Sequence, residues 1–377
     1  MQKVVLSTVV IGTFAFAGGD IRGTENYITN RGVEIEKLKE EMSNLQKKIT
    51  ELDKRRDKTA LIKSHASVIK FSGTHYLGFV NSSPKEGDTI NRFETRRNYF
   101  QAKAYFKENP KDYMRITLDA HNDNGQSSVR VKYAYLYLDN ILPNTGVEFG
   151  QAHRPWIDYE EHNGWFYRSI SKVLVEESNA GHLTNSADRG VNFKTKTEYF
   201  SSELGLFNGE GYHNEEDGDG LSKEWRLTGH ILGTGKKSSN KSLTYANVSF
   251  FGQQNSKSNK HKNQDLNWIG FHAVYNQREF LIAGEYVDVS DGDTTYKGSG
   301  YSINGEYRFM PKWSLLGKYD YFDMDDNSGD KKRAIAGISY EYNRNVEFIV
   351  NYLKEGGSRL SDTQKRDVVM VTAQVEW

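Results

Sequence analysis

The final twelve residues of the chain, Arg366 to Trp377, alternate between two kinds of side chain. One face of the resulting strand is wholly apolar and carries Val369, Val371, Ala373, Val375 and Trp377. An apolar face that ends on an aromatic residue is typical of the strand that closes an outer-membrane β-barrel and hides both sheet edges. The pattern therefore predicts that these five residues face lipid and direct assembly into the membrane.

The same two-residue period recurs through most of the chain. From Val68 onward it defines sixteen candidate strands, and an even number returns the last strand to the side of the first. Links after even-numbered strands are short, whereas several links after odd-numbered strands are long and polar, as in outer-membrane barrels. The predicted fold is all-β: a sixteen-stranded antiparallel transmembrane β-barrel over residues 67–377.

Composition excludes several other classes of protein. Hydrophobic residues make up 36% of the chain, and no run of eighteen apolar residues follows the first few dozen, so a helical membrane protein is excluded. Aromatic residues reach 13%, which suits the aromatic rims of a barrel. A net charge of zero gives no reason to expect nucleic acid as a partner. The main alternative is a β-rich surface or soluble protein that binds a ligand without conducting.

The first seventeen residues have the pattern of an export signal. Lys3 precedes an apolar stretch from Val4 to Phe14, and Ala15 and Ala17 form a small-x-small cleavage motif. We therefore expect residues 1–17 to be removed after export of the chain across the inner membrane.

A helical period separates this signal from the barrel. Within residues 18–66, apolar residues follow alternating spacings of three and four: Ile35, Leu38, Met42, Leu45, Ile49 and Leu52. This is the core of a short coiled coil, which the strand count places in the periplasm. About three heptads are marginal for an isolated coil, so another contact would have to hold the copies together. The alternative is a single amphipathic helix that packs on the barrel or plugs it.

The longest predicted connection runs from Ala152 to Ala187 and is rich in aromatic and charged residues. Connections of this length in compact domains usually have a function. One interpretation is an inward-folded constriction that presents charged side chains to a pore. Its candidates are His153, Arg154, Asp158, Glu160, Glu161, Arg168 and Lys172. The alternative is an outward loop over the barrel mouth or a subunit interface.

A constriction also needs an opposing wall. The alternation of the second and third strands points Arg97, Lys103 and Arg115 inward. A basic wall opposite an acidic loop would create a transverse field that selects solutes by charge. The alternative for each residue is a solvated lumenal charge that is neutralised by its neighbours.

No pattern in the sequence indicates catalysis or a bound cofactor. The ten histidines show no metal-ligand spacing, and no serine can be paired with His230 or His272 from the sequence alone. We therefore expect neither catalytic residues, nor a metal, nor a cofactor. A barrel enzyme with a Ser–His pair at its outer rim is a third alternative, after the channel and the non-conducting protein.

The order of signal, heptads and barrel resembles the phosphate-selective porin O and P family of Gram-negative outer membranes. The resemblance rests on the heptads, on RFETRRNYFQAKAYF, on VKYAYLYLDN leading into VEFGQAHRPW, and on the terminal strand. It implies a homotrimeric, water-filled channel for small hydrophilic solutes, surrounded by lipid and lipopolysaccharide, whose third long loop folds inward. The chain departs from the family in ending on Trp377 instead of Phe and in lacking a markedly basic lumen.

Overall fold

The computed structural model describes residues 21–59, 66–123, 126–214, 220–238, 240–258, 264–291, 296–325 and 329–377. The predicted export signal lies outside these residues. The elements are α1 (Ile21–Thr59), β1 (Ala66–Pro84), β2 (Ile90–Phe106), β3 (Tyr113–Asp123), β4 (Gln126–Leu142), β5 (Thr145–His153), α2 (Ile157–Asn163), β6 (Ala187–Lys196), β7 (Phe200–Phe207), β8 (Ser222–His230), β9 (Tyr245–Ser258), β10 (Gln264–Asn276), β11 (Phe280–Asp291), β12 (Gly298–Met310), β13 (Trp313–Met324), β14 (Gly329–Asn343), β15 (Val346–Gly356) and β16 (Arg366–Glu376).

The sixteen strands form one closed antiparallel barrel. Each strand pairs with its neighbours in sequence, and β16 pairs with β1. That last ladder runs from Thr74 opposite Glu376 to Pro84 opposite Arg366. The predicted sixteen-stranded barrel is therefore confirmed. Closure leaves neither β1 nor β16 as a sheet edge along this ladder.

Trp377 fixes the seam between the first and last strands. The backbones of Gly73 and Trp377 exchange two hydrogen bonds, with N–O distances of 2.9 and 3.1 Å. The Trp377 indole Nε1 also donates to Nε2 of His75 at 3.0 Å. A Cβ atom at position 73 would lie 2.6 Å from the indole, so this close approach requires glycine.

The outer face of the barrel is apolar and has aromatic residues near both ends. Val369 and Val371 on β16 are each 43% exposed, while Trp377 is 52% exposed. Ala373 and Val375 are half-buried on the same outward side. Outward aromatic pairs include Trp313 with Tyr340 near one rim and Tyr301 with Tyr321 near the other. Such aromatic girdles flank the lipid-facing band of membrane barrels.

The rim that carries the connections after even-numbered strands, here the short-turn rim, is not uniform. Residues 143–144, 311–312 and 344–345 make tight turns, but residues 231–244 form a much longer connection between β8 and β9. Strand β9 begins only at Tyr245. The inward side chains of Asn276 and Arg308 bind the carbonyls of Leu243 and Lys241 and keep this stretch out of the ladder.

Helix α1 belongs to a compact unit separate from the barrel. Its heptad residues Ile35, Leu38, Met42, Leu45 and Ile49 are all more than half exposed. The side chain of Leu52 lies outside the described residues. Within the part of the chain that the structure describes, no helix is long and apolar enough to cross a membrane.

Candidate pore constriction

Residues 154–186, which connect β5 to β6 and are called the inserted segment below, lie inside the barrel. Near the start of the segment, the ring of Trp156 stacks on the inward-facing Phe251, with centroids 3.6 Å apart and planes 4° apart. Further along, Val173, Leu174 and Leu183 join the same buried cluster, which includes inward residues of β9 to β13. The aromatic and apolar side chains of this longest connection therefore pack it against the lumenal wall.

A buried ion pair and a close carboxylate–imidazole contact hold the start of the inserted segment. Arg154 is almost fully buried and binds Glu224 on β8, with Nε 2.9 Å from Oε2. Glu160 lies 2.8 Å from Nε2 of His272 on β10. Removing one partner of a buried pair typically costs about 3–5 kcal/mol, because the other charge remains buried. These two candidates therefore anchor the segment to the wall and do not face the open lumen.

A second set of contacts holds the middle of the segment. Arg333 on β14 donates to Oγ of Ser171 at 3.1 Å and lies 3.4 Å from the carboxylate of Glu177. Lys318 on β13 donates to the carbonyl of Lys172 at 2.9 Å. The segment is thus fixed against β8 to β14, and its residues Trp165, Tyr167 and Ile170 also pack on β1, β15 and β16. The largest part of the wall that it leaves uncovered belongs to β1 to β4.

The wall of β1 to β4 gains lumenal cations from a β-bulge in β2. The β1–β2 ladder pairs Tyr76 with Arg97 and Leu77 with Thr95, so Arg96 has no residue opposite it. As a result, both arginines reach the lumen. Arg96 donates to the carbonyl of Ser169 in the inserted segment at 2.8 Å, and Arg97 donates to a carboxylate oxygen of Asp119 at 2.9 Å.

A second bulge has the same effect in β4. The β3–β4 ladder pairs Thr117 with Tyr133 and Leu118 with Val131, which leaves Lys132 without an opposite residue. Lys132 is buried, and its ammonium donates to the hydroxyl of Tyr99 at 3.0 Å. Sequence reasoning missed Arg96 and Lys132 because a bulge breaks the two-residue period from which inward positions are assigned.

A cavity of about 510 Å³ remains between this wall and the inserted segment. The wall contributes Tyr99, Arg115 and Lys132, and the segment contributes Asp158, Glu161 and Arg168. A smaller cavity of about 280 Å³ shares Tyr76 and Arg168 with the first and is bounded by Arg96, Arg97 and Lys172.

The structure brings together only part of the predicted constriction. The larger cavity is lined by Arg115, His153, Asp158, Glu161 and Arg168. Arg97 and Lys172 line the smaller one, whereas Arg154 and Glu160 turn toward the wall. Lys103 lies nearer the short-turn rim, with its ammonium 4.9 Å from the centre of the Tyr113 ring.

Some charged side chains in the lumen have a partner of opposite charge, and others do not. Asp119 binds both Arg97 and Arg130, at 2.9 and 3.0 Å, and Arg168 is bound by Glu161 and Glu176. By contrast, three wall cations have no carboxylate of a described residue within ion-pair distance: Lys103, Arg115 and Lys132. The guanidinium of Arg115 instead lies 4.5 Å from the Tyr133 ring centre, and the Lys132 ammonium lies 4.4 Å from that of Tyr99.

The pair formed by Arg168 and Glu176 is ionised. Burial alone would raise the pKa of Glu176, but the charges of Arg168 and Lys172 outweigh burial and hold that pKa below its usual range. Glu176 lies in the inserted segment and not in a strand. The positive charge of Arg168 is therefore largely compensated, and the uncompensated positive charge belongs to the opposite wall.

One lumenal histidine, His153, contacts both an arginine and a carboxylate. His153 lies between Arg115, with Nη1 3.1 Å from Nε2, and Glu148, whose carboxylate is 3.2 Å from Nδ1. Across the residues that the structure describes, no group of three His, Asp or Glu side chains is arranged to hold a metal ion.

Comparison with known proteins identifies the fold. Neither a protein-family model nor a curated protein matches the chain. Solved structures do match. The anion-selective porin from Comamonas acidovorans is 11% identical, covers 82% of this chain and 99% of its own, and gives a TM-score of 0.61. OmpF of Salmonella typhi in complex with daunomycin is also 11% identical, with coverages of 84% and 99% and a TM-score of 0.59.

A loop-deletion mutant of OmpT, an outer membrane protein of Vibrio cholerae, is 14% identical, with coverages of 82% and 99% and a TM-score of 0.58. The chain has the porin fold. In a membrane every backbone polar group must be paired, and a closed antiparallel barrel with an apolar outer face achieves this. The porin fold and its aromatic rims are those of a bacterial outer-membrane protein.

Proposed function

We propose that this barrel is a passive diffusion channel for small hydrophilic solutes or ions. The proposal rests on one observation: the inserted segment packs on part of the lumenal wall and leaves a polar cavity between itself and β1 to β4. Most of the lining residues are charged or carry hydroxyl groups, which suits hydrated solutes.

The unpaired cations of the wall formed by β2 to β4 favour anions, and two of them, Arg115 and Lys132, line the cavity itself. Lys103, Arg115 and Lys132 lie on one wall without carboxylate partners among the described residues. In a narrow lumen with low-dielectric walls such charges attract ions of opposite sign. The basic wall and the exposed heptad residues of α1 support the finer assignment to the phosphate-selective porin O and P class.

The inserted segment should set the conductance. His153 and Ala187 are paired across β5 and β6, so a short Gly-Ser turn can join these strands in place of residues 155–185. Because the segment fills one side of the lumen, we expect its removal to raise single-channel conductance several-fold in planar bilayers.

A matched deletion separates this effect from general loosening of the barrel. Shortening the connection of residues 357–365, between β15 and β16, leaves the inserted segment in place. Unchanged conductance after removal of residues 155–185 would place the constriction elsewhere and contradict the proposal.

We further propose that α1 associates with its copies in a trimer. The apolar heptad residues are exposed, and such a stripe is normally covered in the assembled protein. A solved structure with the same fold, OmpT of Vibrio cholerae, is described in a trimer form, which supports this stoichiometry. This arrangement implies that α1 lies in the periplasm and that lipid and lipopolysaccharide surround the barrel.

Leu45→Asp should weaken this association without unfolding the barrel, because a charge in the heptad core must be desolvated. The chain has no cysteine, so Leu45→Cys introduces a single reporter thiol. We expect disulfide-linked copies from Leu45→Cys and none from Lys47→Cys, which points away from the heptad core. Equal crosslinking at both positions would argue against a coiled coil.

A further inference from the structure

A third cavity, of about 350 Å³, lies at the short-turn end of the lumen between the inserted segment and β6 to β9. Three of its lining residues occupy neighbouring strands: Ser201 on β7, His230 on β8 and Asn247 on β9. His230 lies directly opposite Asn247, and Ser201 lies opposite Thr228, two residues before the histidine. The strand register therefore brings one hydroxyl, one imidazole and one amide together on the lumenal face.

The contacts form a continuous chain. Nε2 of His230 is 2.9 Å from Oγ of Ser201, and Nδ1 is 2.9 Å from Oδ1 of Asn247. All three side chains are buried. Arg226 adds a third contact, since its Nη1 donates to Oγ of Ser201 at 3.0 Å.

Donor and acceptor chemistry fixes where the protons lie. Arginine is only a donor, so Ser201 accepts from Arg226 and has its own proton available for another partner. The amide oxygen of Asn247 is only an acceptor, so Nδ1 of His230 carries a proton. In the neutral imidazole, Nε2 then accepts the proton of Ser201. This is the order of nucleophile, general base and orienting group that activates serine hydrolases.

Positively charged side chains lie near the hydroxyl of Ser201. Arg226 is buried, is held on its other side by Glu203 at 3.1 Å, and retains an Nε–H group without a hydrogen-bond partner. Lys196 also lines the cavity. Charges placed beside a developing oxyanion are among the largest contributions to acyl-transfer catalysis.

We propose that Ser201 and His230 form a lumenal esterase site, with Asn247 as its positioning residue. The size of the cavity, and a lining of mostly polar residues that also exposes apolar surface, suit short-chain carboxylic esters of small polar compounds. Tyr159 and Tyr245 supply the principal apolar surfaces, which are sufficient for an acetyl-sized acyl group. The site acts on solutes that enter the channel and does not depend on the ion preference of the constriction.

The reaction balances with water as the only co-reactant. Oγ of Ser201 bonds to the ester carbonyl carbon while its proton moves to Nε2 of His230. The bond from that carbon to the alkoxy oxygen breaks, and the leaving alcohol takes the proton from His230. Water then attacks the acyl-serine, again through His230, and releases a carboxylic acid and the free hydroxyl of Ser201.

The test uses the purified full-length chain in detergent, with a fluorophosphonate as the covalent probe and 4-nitrophenyl acetate as the substrate. We expect mass spectrometry to locate the probe on Ser201. Ser201→Ala and His230→Ala should each lose labelling at this position and at least tenfold of the hydrolysis rate. Ser249→Ala is the matched control, because Ser249 lies on the same wall and contacts Thr228, not His230. Its rate should equal that of the unmodified protein.

The positioning role of Asn247 is tested by a measurement that a purely structural role would leave unchanged. Asn247→Asp keeps an acceptor for Nδ1 and should retain hydrolysis, whereas Asn247→Leu should lower the rate and alter its pH profile. Normal single-channel conductance shows that each variant is folded. Hydrolysis by Ser201→Ala at the unmodified rate, or a probe bound elsewhere, would overturn the assignment while leaving the channel proposal intact.

Discussion

Val371→Arg is expected to remove most of the folded protein from the outer membrane. Val371 is 43% exposed near the middle of β16, opposite Phe79 on β1 and Val350 on β15. An arginine on the lipid face near the bilayer midplane costs about 2–4 kcal/mol. That cost lowers the folding equilibrium constant by roughly 30- to 700-fold. The measurement is the fraction of the protein in outer membranes that runs faster on unboiled than on boiled detergent gels.

Gln374→Arg provides the control for this prediction. Gln374 lies on the same strand but lines the lumenal cavity, where water can solvate the new charge. We expect it to assemble at the normal yield. If Val371→Arg assembles equally well, the outward face of β16 does not contact lipid.

Neutralising two of the three unpaired wall cations is expected to lower the preference for anions strongly. The double variant Lys103→Gln and Lys132→Gln removes two charges that have no carboxylate partner among the described residues. Unpaired charges act across a narrow lumen, whereas charges on a wide rim are screened within about 8 Å at physiological salt. The reversal potential in asymmetric salt should therefore shift strongly toward the value of an unselective pore.

Two further variants test whether the effect depends on the lumenal position of the unpaired charges. Lys223→Gln with Lys354→Gln removes the same charge from exposed positions on the outward side and should leave the reversal potential unchanged. Arg97→Gln should have a smaller effect than the lumenal pair, because Asp119 already neutralises Arg97. An unaltered reversal potential in the Lys103 and Lys132 variant would show that these residues do not control selectivity.

The candidate constriction shows which parts of a site can be predicted from the sequence and which cannot. Alternation alone points Arg97 and Arg115 inward, and in the structure Arg97 binds Asp119 and Arg115 lines the larger cavity. The composition of residues 152–187 marks that connection as unusual. The sequence leaves open whether the connection folds inward, because the apolar wall that receives it comes from strands far along the chain. Trp156 meets Phe251 only after the intervening strands have closed the barrel.

Local periodicity determined the sixteen strands, the outward position of Val371 and the heptad of α1, since each depends on side chains only a few residues apart. Tertiary structure decided which charges remain unpaired and which polar groups meet. Lys132 faces the lumen because of a bulge, and His230 contacts Ser201 and Asn247 because three strands adopt one register. Register is a property of the whole ladder, so no local pattern in the sequence could specify these contacts.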